Sequence, residues 1–522
     1  MAAITIPPSD RGENLVPAAQ AHWRLIGAFA VLTVLIHFLT NGRYGYFVDE
    51  LYFVACGRHL AWGYVDLPPL IPAIARFTQA SLGSSLFALR FFPALAGGAT
   101  VAFAGVLASE FGGGKFAQAV AMLAAIAAPI YLGIDTLLTM NAFEPIFWMG
   151  CIWPLVRILK GGDPRWWLAF GMAAGLGLEN KESILFLGFA IMLGLALTPE
   201  RNLMLGRWFW VGGAVAFVLF LPTLVWQASN HFPMLEELAN VKAGTKNEPE
   251  TFFSFFVAQV AIFLPFALPV WAAGLCFFLV SRDGRKYRTF GWTYLILFAA
   301  FVLLKGKHYY IAPIYPALFG AGATQLESLT SSAWRIPVRY GLPAALVIEG
   351  LVAAPMSIPL LRVENFLKYS HALGLVEART ETIDTGELPL NYAYMFGWPE
   401  MVAAVADVYR TLPDHERAHS CILAANYGEA AAIDFFGPRL GLPNAISNHM
   451  SYWLWGPGNC AGDVVIAIGS RREDLEVEWS SVQSAATLNT RHSAPNERVT
   501  IFVCRNPRLP LNKLWPRIKR YQ

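Results

Sequence analysis

Two adjacent carboxylates, Asp49 and Glu50, stand near the start of a polar and aromatic stretch that runs from about residue 42 to 89. An ionised carboxylate beside a hydroxyl group can take its proton, so the pair is predicted to supply a general base. The same stretch contains Arg58 and Asp66, which are further candidates for a binding or catalytic role. A plain alternative stays open, because acidic side chains also favour the positive N-terminal end of a helix and cap it.

A second polar cluster comprises Lys305, Lys307, His308, Tyr309 and Tyr310. Lysine ammonium groups and tyrosine hydroxyls hold phosphate by charge-assisted hydrogen bonds, so the cluster is predicted to bind a phosphate group. Lysine and tyrosine are also the residues that commonly anchor a membrane protein at the level of the lipid headgroups. Both interpretations fit the residue types and their spacing.

Two smaller polar groups fall at the ends of apolar segments. Asn141 is followed three residues later by Glu144, and Lys181 lies within a run of four polar residues at 179–182. Each group can contribute to a binding site, or can mark the end of a helix without any role in function.

The composition indicates what kind of protein carries these groups. The chain has 522 residues, of which 56% are hydrophobic and only 14% are charged, and its mean hydropathy is +0.45. Soluble globular proteins have about 25% charged residues, so a large soluble enzyme, a disordered chain and a fibrous protein are excluded. The composition predicts a membrane protein with many spans. A net charge of +3 without a basic cluster excludes nucleic acid as a partner.

Apolar stretches recur along the chain at the length that crosses a bilayer, about 17–25 residues. The first ~20 residues contain no apolar core followed by a small-residue cleavage site, so no removable signal peptide is expected. The eleven predicted spans cover residues 23–41, 90–109, 116–134, 143–160, 166–179, 183–198, 208–226, 252–280, 289–304, 310–324 and 341–360.

Lysine and arginine in the short loops predict the orientation, because cytoplasmic loops are enriched in both. With the N-terminus inside, the inner loops carry twelve such residues and the short outer loops carry five. This bias places residues 1–22 in the cytoplasm, and eleven spans within 23–360 then place residues 361–522 outside. The five in the short outer loops are Lys181, Lys242, Lys246, Lys305 and Lys307.

From about residue 361 charged residues return, and short β-rich runs alternate with a helical pattern, which predicts a small α/β domain. Cys421, Cys460 and Cys504 allow one disulfide bond in an oxidising compartment, and the sequence does not decide which two pair. The predicted strands cover residues 421–426, 463–468 and 499–504, with a helix over 428–436 between the first two.

Three motifs together resemble a known family. They are Asp49-Glu50 with Tyr52 soon after, Pro-Pro-Leu at 68–70, and His308-Tyr-Tyr-x-x-Pro-x-Tyr-Pro-Ala317. Their order, spacing and location are similar to those of the family-39 glycosyltransferases, which include protein O-mannosyltransferases and bacterial lipid A aminoarabinose and galacturonic acid transferases. The resemblance covers about residues 20–330. It implies the GT-C fold, in which many membrane helices carry an active site on their outer face beneath juxtamembrane helices.

The resemblance also implies an activity: sugar transfer, with inversion, from a polyprenyl-phosphate donor to a lipid, polysaccharide or protein acceptor. The reaction is expected on the periplasmic face of a bacterial inner membrane, whose lipids are further partners. Asp49 takes the role of general base with Glu50 as its neighbour, and a divalent metal stays open as a cofactor. The residues predicted at the donor phosphate are Lys307, Tyr309, Tyr310, Lys181 and Arg58, and the other site candidates are Asn141, Glu144, Asp66, Lys305 and His308.

A polytopic transporter or lipid flippase is the main alternative, and a non-catalytic assembly or sensor protein is a third. Transporters carry ionisable residues near the middle of the membrane and often consist of two detectable halves. The middles of the predicted spans are nearly free of charge, and the sequence contains no internal repeat. Because charged residues concentrate at the outer ends of the spans, the pattern favours chemistry at the membrane surface.

Overall fold

The structure is a computed structural model that describes residues 19–244, 251–331, 334–374 and 386–522. Lys246 and most of the predicted N-terminal segment lie outside these residues. Within them, a helix occupies every position where the sequence predicts a span. The helices up to the last predicted span are α1 (Trp23–Thr40), α2 (Val48–Arg58), α3 (Leu70–Ser81), α4 (Leu86–Leu89), α5 (Phe91–Glu110), α6 (Lys115–Ala127), α7 (Pro129–Ile134), α8 (Met140–Leu159), α9 (Trp166–Leu178), α10 (Ile184–Ala196), α11 (Arg207–Ser229), α12 (Pro233–Ala243), α13 (Phe252–Phe263), α14 (Leu268–Leu279), α15 (Arg288–Leu303), α16 (Tyr315–Glu327) and α17 (Leu342–Ser357).

Judged by the length of each helix, the described residues contain fewer complete membrane spans than the eleven that the sequence predicts. Among the described helices, five are long and apolar enough to cross a membrane alone, and two bent helix pairs raise the number to seven. Two predicted spans are each divided into two helices next to a proline, which lacks an N–H group and interrupts the helical hydrogen-bond ladder. Pro129 begins α7 directly after α6 ends, and Pro265 follows the break after α13. The total of eleven spans stays a prediction.

Contacts at the two ends of the helix bundle show that α5 and α8 both end on one side. There, Glu110 at the end of α5 forms ion pairs with Arg157 and Lys160 near the end of α8. On the opposite side, the main-chain N–H of Leu70 donates a hydrogen bond of 2.9 Å to the carbonyl oxygen of Glu179. We call this opposite side the domain face, because α2, α3 and the C-terminal sheet domain lie there.

The C-terminal part of the chain, which begins with α18 (Val363–Leu373), contains a sheet of five strands: β1 (Cys421–Ala424), β2 (Ala445–Ser447), β3 (Val464–Ile468), β4 (Trp479–Thr487) and β5 (Thr500–Pro507). The order of the strands in the sheet is β2-β1-β3-β5-β4. Strand β1 pairs in parallel with β2 and β3, whereas β5 pairs antiparallel with β3 and β4. The helices are α19 (Leu390–Ala393), α20 (Trp398–Thr411), α21 (Asp414–Arg417), α22 (Tyr427–Phe436), α23 (Met450–Trp455), α24 (Arg472–Glu478) and α25 (Leu511–Leu514).

The predicted α/β character of this domain is confirmed, and two strands are additions. Strands β1, β3 and β5 and helix α22 form where the sequence predicts them. Strand β2 has only three residues, and β4 is a mostly polar strand at the edge of the sheet, so neither carries the apolar signal of a buried strand.

The sheet also decides the cysteine pairing that the sequence leaves open. Cys421 and Cys460 form a disulfide bond with their Cα atoms 5.9 Å apart. Cys504 is buried in β5, where it lies opposite Val465 of β3 and Val482 of β4. Because β5 is an interior strand, the Cys504 thiol packs in the core of the domain.

Helix α2 joins the C-terminal domain to the membrane helices. Nine of its eleven residues are buried, and the two others are Asp49 and Arg58. Its apolar side chains share one hydrophobic core with residues of α20, α22 and the sheet, for example Trp398, Ile422 and Ala430. The first loop and the C-terminal domain are therefore packed as one layer on the domain face.

Candidate active site

Asp49 lies in the first turn of α2 at the boundary between the first loop and the C-terminal domain. Its side chain is half-buried, and its Oδ1 accepts a hydrogen bond of 2.9 Å from the hydroxyl of Tyr427. Tyr427 is the first residue of α22, and its ring stacks on the imidazole of His449 at 5.1 Å. A carboxylate that is partly exposed among aromatic rings on the domain face is suited to accept a proton from a bound hydroxyl.

Glu50, the next residue, is surrounded by hydrogen-bond donors in the protein interior. Its side chain is fully buried and receives two hydrogen bonds, of 2.9 and 2.8 Å, from the guanidinium of Arg90. Its two oxygens also accept from the main-chain N–H groups of Phe47 (2.9 Å) and Leu138 (3.1 Å). The bond to Phe47 caps the start of α2. With four donors on one carboxylate, no position is left for a substrate, so the expected catalytic role does not fit Glu50.

Asp66 lies close to Asp49 and is also half-buried. Its Oδ1 accepts a hydrogen bond of 2.9 Å from the hydroxyl of Tyr52, and that hydroxyl lies 2.8 Å from the Ser451 hydroxyl. Burial raises the pKa of Asp66 to about 7; the hydrogen bond from Tyr52 opposes this shift, and the charges of Glu237 and Asp49 add to it. Asp66 is therefore a second titratable carboxyl at the site.

Replacing Asp66 by Asn is expected to weaken the pH dependence of stability. The folded protein holds the Asp66 proton up to about pH 7, whereas the unfolded chain releases it near pH 4. The stabilisation is fully present below the unfolded pKa and is lost as pH rises through the folded pKa. Between pH 5 and 7 the wild type should lose about 2 kcal/mol more than Asp66→Asn.

The measurement is thermal unfolding of both proteins in detergent across this pH range. Asp463→Asn is the matched control, because Asp463 is an exposed aspartate of the C-terminal domain. It should follow the wild-type pH profile. Parallel profiles for the wild type and Asp66→Asn would contradict the assignment.

Lys181 brings several of the predicted site residues together. Its Nζ donates hydrogen bonds to Asn141 Oδ1 (2.8 Å) and Glu144 Oε2 (3.1 Å), and it lies 4.7 Å from the centroid of the Tyr310 ring. Ser183 donates a further hydrogen bond to Glu144. The side chain of Lys181 is 17% exposed to solvent. These residues form a partly open polar corner, which we call the lysine corner.

The segment from Lys305 to Tyr310 continues from the lysine corner. Lys305 is exposed, Lys307 is partly exposed, and a 3₁₀-helix begins at His308. His308 is buried, and its carbonyl oxygen accepts a hydrogen bond of 2.8 Å from the Gln259 amide. The rings of Tyr309 and Tyr310 meet edge to face at 5.0 Å. Tyr310 thus lies beside Lys181, and Lys305 and Lys307 precede it with at least part of their side chains exposed. Lysine ammonium groups and tyrosine hydroxyls are donors that can bind a phosphate.

Arg58, the last residue of α2, contacts the C-terminal domain. Its Nη1 donates a hydrogen bond of 2.7 Å to the carbonyl oxygen of Asp434, and its guanidinium lies over the ring of Phe435. These contacts fasten the end of α2 to α22. The expected role of Arg58 at a donor phosphate does not fit this position.

The first loop is held close to the lysine corner by the segment that joins α9 and α10. Besides the bond from Leu70 to Glu179, the amide of Asn180 donates to the carbonyl oxygen of Met140 at 2.9 Å. The hydroxyl of Thr223 donates to Glu179 Oε2 at 2.7 Å. These bonds join the first loop to the segment that carries Lys181.

Several residues of the site carry no signal in the sequence. Tyr427, His449 and Ser451 approach the first loop from nearly four hundred positions away, and Arg90 opens a predicted span. Among the described residues, no group of three or more His, Cys, Asp or Glu side chains is arranged to hold a metal ion. The candidate site is built from single carboxylates, lysines and tyrosines.

Comparison with known proteins identifies the fold. The profile of the dolichyl-phosphate-mannose-protein mannosyltransferase family matches residues 66–226. This range includes Lys181 and its partners Asn141 and Glu144, and it excludes Asp49 and Tyr310. The crystal structure of ArnT from Cupriavidus metallidurans bound to undecaprenyl phosphate is similar at a TM-score of 0.60 and 16% identity, over 93% of this chain and 98% of that one. The fold is that of the GT-C glycosyltransferases.

Two further structures with the GT-C fold are similar over most of this chain. The mycobacterial arabinofuranosyltransferase AftD matches at a TM-score of 0.51 and 14% identity, over 94% of this chain and 40% of that one. The oligosaccharyltransferase of Archaeoglobus fulgidus matches at 0.50 and 12%, over 79% and 63%. No curated protein sequence matches the chain. The resemblance to GT-C enzymes inferred from the motifs is confirmed, and the protein is a multi-pass membrane protein.

Proposed function

We propose that the protein is a membrane glycosyltransferase that transfers a sugar from a polyprenyl-phosphate donor to a hydroxyl group of an acceptor at the domain face. The observation that carries this proposal is that Asp49 and the lysine corner both lie on the domain face of a GT-C fold. The similarity to ArnT, whose structure holds undecaprenyl phosphate, supports a polyprenyl lipid as the donor carrier. The acceptor is a lipid, a polysaccharide or a protein.

In the proposed reaction the acceptor oxygen attacks the anomeric carbon of the donor sugar while Asp49 takes the hydroxyl proton. The bond between that carbon and the phosphate oxygen breaks, and polyprenyl phosphate leaves with the bonding electron pair. Attack opposite to the leaving phosphate inverts the anomeric centre. Because phosphate is a good leaving group, one carboxylate base is enough, unlike the acid and base pair of an inverting glycosidase.

Lys307, Tyr309, Tyr310 and Lys181 are proposed to hold the donor phosphate. Glu144 offsets part of the charge of Lys181, with 3.1 Å between the charged groups. Lys307 is partly exposed and carries a second positive charge, so it is proposed to attract the phosphate together with Lys181. Asn141 and Glu144 then act by fixing the position of Lys181.

Lys307→Ala is expected to weaken the binding of undecaprenyl phosphate about ten- to hundredfold. The lost charge-assisted contact is worth roughly 1.5–3 kcal/mol. The measurement is the dissociation constant of undecaprenyl phosphate for purified protein in detergent. Lys115→Ala, an exposed lysine at the start of α6 on the other side of the bundle, is the matched control and should bind normally. Unchanged binding by Lys307→Ala would leave the cluster as an interfacial anchor.

The domain face is proposed to be periplasmic, in a bacterial inner membrane, with the division at 1–22, 23–360 and 361–522. Lysine and arginine are concentrated in the loops on the other side. The Cys421–Cys460 disulfide is consistent with an oxidising compartment. A reporter active only in the periplasm, fused after Gln522, should therefore be active. Activity of a cytoplasm-only reporter at that position would overturn this orientation.

The activity is tested by deleting the gene in the producing organism and comparing its glycolipids, polysaccharides and glycoproteins with wild type by mass spectrometry. The expected result is one missing monosaccharide, restored by the wild-type gene but not by an Asp49→Asn gene of equal protein abundance. Identical profiles in both strains would contradict a transferase. Membranes of the deletion strain, which retain both donor and acceptor, then serve as the substrate for purified enzyme.

A further inference from the structure

We propose that Tyr427 of the C-terminal domain is a positioning residue for Asp49, so that this domain completes the active site. This inference rests on the proposed function, because it concerns the carboxylate assigned there as the base. It gives the C-terminal domain a direct part in the reaction. The contact that carries it is the hydrogen bond of 2.9 Å from the Tyr427 hydroxyl to Asp49 Oδ1.

The ring of Tyr427 is fixed on two sides. The imidazole of His449 stacks against it at 5.1 Å with 17° between the planes, and the Tyr52 ring lies 4.5 Å away at 32°. A ring held in this way has little freedom to turn its hydroxyl elsewhere. The geometry therefore directs the O–H group at one oxygen of Asp49 and fixes the orientation of the carboxylate.

His449 is itself oriented by two hydrogen bonds. Its Nδ1 lies 3.2 Å from the main-chain N–H of Tyr427, and its Nε2 lies 2.6 Å from the main-chain oxygen of Gln522. Because Nδ1 must accept from an N–H group, the neutral ring with its proton on Nε2 is the tautomer that fits. Asn240 of α12 binds the adjacent carbonyl of Tyr521 at 2.8 Å. The stack is thus anchored to the membrane domain as well.

The charge of the surroundings explains why Asp49 needs this donor. Asp66 lies close to it, so the charge of Asp66, once that carboxyl is ionised, opposes the ionisation of Asp49. Burial raises the pKa of Tyr427 well above its usual value, and the charges of Asp49 and Asp66 add to this effect. Tyr427 therefore stays protonated throughout the physiological range and stabilises the ionised carboxylate at every working pH.

Tyr427→Phe keeps the stacked ring and removes only the hydroxyl. The maximal transfer rate into deletion-strain membranes should fall about tenfold to hundredfold, since a hydrogen bond to a charged group is lost. The acidic limb of the pH–rate profile should move up by about one pH unit, because the ionised form of Asp49 loses its donor. Binding of undecaprenyl phosphate should not change. A purely structural role would leave the pH profile in place.

The matched control is Tyr452→Phe. Tyr452 donates a buried hydrogen bond of 2.7 Å to Asp434, another tyrosine-to-carboxylate contact in the same domain that does not involve Asp49. It should keep the wild-type pH profile. In an Asp49→Asn background, Tyr427→Phe should have no further effect, because a residue that acts through Asp49 cannot be additive with its loss.

The outcomes separate the two proposals. If the wild type transfers sugar and Tyr427→Phe behaves like Tyr452→Phe in rate and pH profile, the positioning role is wrong and the proposed function stands. If Tyr427→Phe lowers the rate equally in the wild-type and Asp49→Asn backgrounds, its effect does not pass through Asp49 and the inference is again wrong. If the wild type transfers no sugar, both proposals fail together.

Discussion

Asp49→Asn should reduce sugar transfer by about 10²–10⁴-fold while leaving undecaprenyl phosphate bound normally. Loss of a general base costs this much because proton removal from the acceptor occurs in the transition state. The amide keeps the shape of the side chain and an oxygen that accepts from Tyr427. The change therefore removes basicity and little else. The measurement is the initial transfer rate into deletion-strain membranes, together with the dissociation constant for undecaprenyl phosphate.

Asp463→Asn is the control for this variant, because Asp463 is an exposed aspartate in the same C-terminal layer. It should transfer at the wild-type rate. A helix-capping role for Asp49 predicts nearly full activity for Asp49→Asn, since asparagine caps helices as well as aspartate does. Near-normal activity would therefore remove Asp49 as the base. Asp66, which also lies at the site and titrates near neutral pH, would be the next candidate.

Arg90→Met should destabilise the protein by about 3–5 kcal/mol, the cost of leaving a buried charge without its partner. Arg90 and Glu50 are both fully buried and joined by two hydrogen bonds. The guanidinium also donates to the carbonyl oxygens of Gly45 (2.9 Å) and Asn41 (3.3 Å) ahead of α2. Its removal loosens the turn that positions Asp49. Thermal unfolding in detergent and the yield of monodisperse protein measure the loss.

Arg471→Met is the matched control, because Arg471 forms a two-bond pair with Asp474 that is exposed to solvent. Exposed pairs contribute little to stability because water and salt screen them, so this variant should unfold almost like the wild type. Adding Glu50→Gln to Arg90→Met should recover part of the stability, because both buried charges are then absent. Unfolding of Arg90→Met at the wild-type temperature would show that the pair is not needed for the fold.

The sequence determined the class of protein and the place of its helices. Low charge and recurring apolar runs are properties of segments, and each segment must satisfy its own backbone hydrogen bonds in lipid, so helices form locally. The strands β1, β3 and β5 and helix α22 were also predictable, because each carries an apolar pattern within its own few residues. The sequence also pointed to the residues of the lysine corner, because polar residues near the ends of apolar segments stand out. These residues are Lys181, Asn141, Glu144 and Tyr310.

The tertiary structure decided which of two adjacent carboxylates is fully buried. Asp49 and Glu50 are equivalent in composition, yet successive helix positions contact different neighbours. Glu50 meets Arg90 in the buried interior, whereas Asp49 meets Tyr427 from a strand-and-helix layer almost four hundred residues later. The same packing moved Arg58 from a predicted phosphate contact to Asp434. Such contacts depend on where distant segments pack, and no local pattern of residues encodes that.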